Sequence, residues 1–152
     1  MDKFAHNICL SQARMFEKSV DDGLPSYFFI KSFMKSPQAR AYDELNLDYA
    51  NITEVEIYDS IKNRIKIKRG TILPYPIMRF IGYFYRAASY LLDVKSTFLF
   101  DNISPKYLSD NYLTLHSLSI EEAIKEVFAS KDIHLKTKEE ILRDIYKKML
   151  RN

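Results

Sequence analysis

The chain of 152 residues is defined first by what it lacks. It has no tryptophan, one cysteine and three glycines. A single thiol, Cys9, rules out a disulfide framework within the chain and suits a reducing compartment. So few glycines argue against a β architecture with many tight turns, which draws on Gly or Asn at positive φ. Gly23, Gly70 and Gly82 are far apart, so no glycine-rich phosphate loop is present. The longest apolar-rich stretch, 72–92, is broken by Pro74, Pro76, Arg79 and Arg86 and is no membrane span. The first residues carry no basic stretch followed by an apolar run, so no secretory leader is read there, and the expected location is cytoplasmic. Net charge is only +3, which is low for a nucleic-acid-binding domain.

What is present is an ordinary globular composition with abundant tyrosine and phenylalanine. Hydrophobic residues make up 47% and charged residues 28%, with 11 Tyr and 10 Phe. Helix punctuation is frequent. Thr53-Glu54-Val55-Glu56, Ser119-Ile120-Glu121-Glu122 and Thr137-Lys138-Glu139-Glu140 each match a capping box. Ser36-Pro37 and Ser104-Pro105 place a cap before a proline at the first helical position. Gly23 followed by Pro25 is a stop signal for a first helix over 3–20.

These signals predict further helices over 26–35, 38–45, 53–66, 76–93, 97–100 (capped by Ser96), 105–114, 120–130 and 137–150, with a connection at 46–52. The expected fold is all-α, a compact bundle of about seven to eight short helices in a single domain, 1–152. The highly charged helix 137–150 is expected to be able to protrude. An alternative for the basic segment near 64–72 is a short hairpin, because Arg64-Ile65-Lys66-Ile67-Lys68 alternates like a strand.

Residues 75–92 carry the strongest pattern. At 3.6 residues per turn, Ile77, Ile81, Phe84, Ala88 and Leu91 form an apolar stripe. Arg79, Tyr83, Arg86 and Tyr90 form a second stripe at the same spacing. Arg and Tyr are enriched at interfaces, so this stripe is a candidate protein-docking surface. The competing reading is a half-buried helix whose arginines pair with internal acids while their stems cover apolar surface. Arg86, flanked by Tyr85 and Tyr90, is the residue most expected to hold a fixed hydrogen-bonded geometry.

The run Lys62, Arg64, Lys66, Lys68 and Arg69 holds five cations and no acid. It is a candidate surface for an acidic partner or phosphate, or simply a solvated helix end. Aromatics do not interleave with it, as single-stranded nucleic acid would favour. His116 falls just before a helix cap and reads as a structural histidine bonding backbone, with a catalytic role as the alternative. His6 and His134 are isolated, so no metal-ligand spacing exists. Cys9 reads as a small buried hydrophobe. Glu121-Glu122 and Glu139-Glu140 are explained by capping and the helix dipole. No cofactor or metal is expected.

From Phe80 to Phe128 the chain runs from an aromatic helix ending in Asp93, through Ser96-Thr97-Phe98-Leu99-Phe100, to a segment with a Tyr…Leu-His…Ser…Ile pattern around Tyr112, Leu115, His116, Ser119 and Ile120. This block resembles small uncharacterised helical bacterial proteins encoded beside toxin-like genes, including ADP-ribosyltransferase-like ones. It covers about a third of the chain and leaves out the N-terminal region and the helix beyond Ser130. The resemblance implies an antitoxin or accessory partner in a toxin–antitoxin or phage-defence operon.

The expected function is therefore a non-enzymatic interaction protein, with no membrane role, that binds and blocks a partner protein such as a cognate toxin. Arg79, Tyr83, Arg86 and Tyr90 are expected to anchor the partner, and Lys66, Lys68 and Arg69 to steer it. One alternative is a nucleic-acid-binding regulator of its own operon, through helices 53–66 and 76–93. A second is a small toxin or nuclease using His116 with Arg86.

Overall fold

The computed structural model describes residues 1–45, 53–67 and 69–151. The described residues form ten helices, of which eight have seven residues or more, and no strand. In chain order they are α1 (Lys3–Asp21), α2 (Ser26–Met34), α3 (Pro37–Asp43), α4 (Glu54–Arg64), α5 (Tyr75–Leu92), α6 (Ser96–Asn102), α7 (Pro105–Asp110), α8 (Tyr112–Leu115), α9 (Ile120–Ser130) and α10 (Lys138–Arg151). The all-α expectation holds. The hairpin does not form among the described residues: α4 runs to Arg64, and 65–67 and 69–74 are irregular. The connection expected at 46–52 lies outside the described residues.

The caps work as their spacing indicates. Ser36, Thr53, Ser104, Ser119 and Thr137 each accept the backbone N–H three residues on, at 3.0 to 3.2 Å. Gly23, at φ +64°, closes α1, and the Leu24 amide donates back to the Ser19 carbonyl. Several boundaries differ from expectation, three of them for a visible reason. The third helix ends at Asp43 because Leu45 takes a left-handed φ of 49°. The 105–114 helix breaks at Asn111, whose amide side chain bonds the Tyr107 carbonyl at 2.9 Å. Ser96 does not cap from outside; it is the buried first residue of α6.

The core is built around α1 and α5, which pack closely along their length. Gly82 makes that possible. A Cβ there would lie 2.9 Å from Phe16 Cγ, 3.0 Å from the Gln12 carbonyl and 3.1 Å from Ala13 Cα. A mid-helix glycine costs about 1 kcal/mol in propensity, and here it lets two backbones approach. Gln12 Nε2 spans the same contact and donates to the Gly82 carbonyl at 3.0 Å.

Phe16 of α1 meets Phe29 and Phe33 of α2 edge-to-face, at centroid separations of 5.4 and 5.2 Å. Helices α2 and α4 pack against α1, and α6, α7 and α9 pack against α5. The loop after residue 69 is pinned to α2. The Ser26 amide donates to the Thr71 carbonyl at 3.0 Å, and the Leu73 amide donates to Ser26 Oγ at 2.8 Å. The core cluster runs from Cys9 to Phe128. No residue of α10 joins it or is buried. No helix of the described residues is long and apolar enough to cross a membrane.

Candidate functional site

Helix α5 is far more enclosed than a two-faced helix. From Ile81 to Ser89 every residue except Tyr83 is buried. The apolar stripe lies inside as expected: Ile81, Phe84 and Ala88 are buried, and Ile77 and Leu91 pack against the core. The Arg/Tyr stripe does not form an exposed ridge. Arg86 is 0% exposed. Its Nε donates to Gln12 Oε1 at 2.8 Å, and its Nη1 to Asp43 Oδ1 at 2.6 Å and Ser89 Oγ at 3.1 Å. Nη2 donates to Ser96 Oγ at 2.9 Å and is 3.5 Å from the Ala39 carbonyl.

The guanidinium also sits over the rings of Tyr42 and Tyr90, 5.4 and 5.5 Å from their centroids. Tyr90 is half-buried and donates its hydroxyl to the Tyr42 carbonyl at 2.9 Å. Burial pushes its phenol up to about 12. The partner acid completes the cluster: Asp43 Oδ1 accepts from Ser96 Oγ at 2.6 Å, and Oδ2 accepts the Ser96 amide at 2.9 Å. Asp43, at the end of α3, thereby caps α6.

This network corrects the docking expectation for Arg86 and Tyr90. Both are engaged inside the fold, and Arg86 reaches neither a partner nor a substrate. The physical reason is that, apart from Ser89 one turn on, its partners arrive from α1, α3 and α6, and no stripe drawn on α5 contains them. The fixed hydrogen-bonded geometry expected of Arg86 is present, but it serves the core. Arg79 and Tyr83 stay nearer the surface. Arg79 Nη1 pairs with Glu17 Oε1 of α1 at 3.3 Å, and half-buried Tyr83 shares a 2.8 Å hydrogen bond between its hydroxyl and His6 Nδ1.

The basic segment behaves differently. Lys66 and Arg69 are exposed, and Lys68 lies outside the described residues. Lys62 is drawn inward to Asp22, 3.4 Å away. Asp22 also accepts a short hydrogen bond from Tyr58, which holds its carboxyl below the ordinary value.

Sequence spacing alone missed a groove of about 450 Å³ between α2 and the end of α4. Lys31 of α2 and Lys35 at its C-cap line it together with Arg64 and Lys66, with Phe28, Ile65 and Ile67 as its apolar wall. Among the described residues, four cations and no carboxylate line this groove. Lys35 is bridged from outside by Asp101 at 2.5 Å, and Arg64 is steadied by Ser60 Oγ at 3.2 Å. Arg64 and Lys66 belong to the basic run. Lys31 and Lys35 stand four residues apart, in α2 and at its C-cap, and that was the available signal.

His116 is exposed; its Nδ1 lies 2.8 Å from the Tyr112 carbonyl and its ring stacks on Tyr112 at 4.4 Å. The geometry is that of a backbone-bonding histidine at a helix junction, and Arg86 is not available to it. Cys9 is buried, and burial pushes its thiol up to about 11. Among the described residues no three His, Cys, Asp or Glu side chains gather as a metal site needs. Comparison with protein-family models, with curated proteins and with solved structures gave no match.

Proposed function

We propose that the protein is a non-enzymatic interaction protein that captures an acidic segment of a partner protein in the groove between α2 and residues 64–67. The observation that carries this reading is the charge imbalance of the groove, whose lining among the described residues holds Lys31, Lys35, Arg64 and Lys66 and no carboxylate, with Lys35 alone paired, to Asp101 outside it. Basic clusters of this kind raise encounter rates with an acidic surface. The wall formed by Phe28, Ile65 and Ile67 gives such a segment apolar area to bury once it arrives.

Arg69 is exposed just after the groove-lining residues and adds to the steering. Arg79 and Tyr83 lie on the α1–α5 side and are assigned no part in the groove. In the setting that the resemblance implies, the partner is a toxin-like enzyme from a neighbouring gene, and the protein acts as its antitoxin by covering or misaligning the active site.

The test is titration calorimetry against the neighbouring gene product at low and at high salt. Binding that weakens with ionic strength, and is lost in Lys31→Glu/Arg64→Glu/Lys66→Glu, supports the proposal. Binding that is indifferent to the triple charge reversal overturns it. So does a gel shift in which this chain binds operon DNA through those same cations while ignoring the protein.

A further inference from the structure

Among the described residues, the exposed large apolar side chains cluster most densely on α10, remote from the groove in the chain. Ile141, Leu142, Ile145, Tyr146, Met149 and Leu150 are 46 to 70% exposed. At 100° per residue they fall on one half of the helix. The other half carries Glu140, Arg143, Asp144, Lys147, Lys148 and Arg151. A lone helix of this length is marginal in water and gains its stability from packing an apolar face. Yet α10 is carefully started: Thr137 caps it, His134 pairs with Glu140 at 3.2 Å, and Lys136 pairs with Asp144.

We propose that a second copy of this chain covers that face, with the two α10 helices packed antiparallel. Two observations select this occupant. The first is charge order along the helix. Glu139 and Glu140 follow Lys138 in its first turn, and Lys147, Lys148 and Arg151 close it. A parallel pair stacks like ends, whereas an antiparallel pair sets each acidic start level with the basic end of its mate, on the flanks of the packed faces, and also opposes the two helix dipoles.

With the two-fold axis between Ile145 and Tyr146, Asp144 of each copy falls level with Lys147 of the other, and Glu140 level with Arg151. Arg143 then falls level with Lys148, a like pair whose long stems can splay toward water. The second observation is area. Six large side chains at this exposure offer on the order of 700 Å² per copy, close to the ~800 Å² per partner of a standard stable interface. An anionic membrane surface suits the apolar face less well, because carboxylates interrupt the polar face.

The experiment is sedimentation velocity of the full chain over a range of concentrations. The expected result is a reversible dimer of twice 17.9 kDa. Ile145→Glu, and separately Met149→Glu, should weaken it by at least about a hundredfold with far-UV circular dichroism of the remaining helices unchanged. A mixture of Ile141→Cys and Leu150→Cys chains should cross-link with each other, each alone much less. A monomer at every concentration overturns the proposal. So do a dimer indifferent to both glutamates, cross-linking of like with like, and a monomer that binds anionic vesicles through α10.

Discussion

Two helices of this chain look alike on paper and end in opposite places. Both α5 and α10 are strongly amphipathic, with an apolar half and a half rich in charge or tyrosine. In α5 the whole middle is buried, because Gln12, Asp43, Ser89 and Ser96 converge on Arg86 and satisfy it. In α10 nothing is buried, and its acids are satisfied only by the residues that lead into it. What decides whether an amphipathic stripe becomes core or surface is the supply of partners from elsewhere in the fold. A buried guanidinium without them costs several kcal/mol, so Arg86 marks the place where several helices had to meet.

The comparison is easiest to break at Arg86. Arg86→Ala leaves the buried Asp43 carboxylate without its counter-charge and Gln12 Oε1 without a donor, and should cost about 3–5 kcal/mol in urea unfolding, a large part of the ~5–15 kcal/mol typical of a domain. A loss below 1 kcal/mol would mean that the network is ornamental. Gly82→Ala comes next. Its Cβ meets the α1 backbone as well as Phe16, so the α1–α5 contact must open. The expected loss is roughly 1–2 kcal/mol, after the gain in helix propensity offsets part of the overpacking.

Tyr58→Phe should cost about 1 kcal/mol near neutral pH by removing a buried hydroxyl's hydrogen bond. It should also flatten the acid limb of stability. The Asp22 carboxyl is held below its ordinary 3.8, chiefly by Tyr58. Its contribution is therefore full above that value and fades as pH falls through the lower, folded-state value. A pH–stability curve of the variant parallel to that of the native chain would contradict this. The smallest effect belongs to α10. In the monomer, Ile145→Glu should leave the stability of the body within about 0.5 kcal/mol.

Cys9 sharpens the same contrast between inside and outside. Its buried thiol, raised from 9.0 to about 11, should resist alkylation at pH 8 in native buffer and react at once in denaturant. Rapid native labelling would place the start of α1 off the core.

Where helices begin and end was largely legible, because a cap is a local event. Ser36, Thr53, Ser104, Ser119 and Thr137 need only the amide three residues ahead, and Gly23 needs only its own positive φ. Arg86 was not legible in the same way. Its partners lie 43 residues away at Asp43 and 74 away at Gln12, and a stripe drawn on one helix carries no information about either. Ser96 failed for the same reason: the acid that holds it belongs to α3. The groove was half visible. The run from Lys62 to Arg69 was plain, but only packing brings Lys31 and Lys35 to its other side.

The central claim is that recognition belongs to the surface outside α5, while α5 and its arginine hold the fold together. Segment-resolved hydrogen exchange tests it in one measurement. Amides of 78–89 should exchange only through global unfolding, and amides of 141–150 should be weakly protected in dilute protein and gain protection as concentration rises. Early exchange across 78–89, or strong and concentration-independent protection of 141–150, would contradict it.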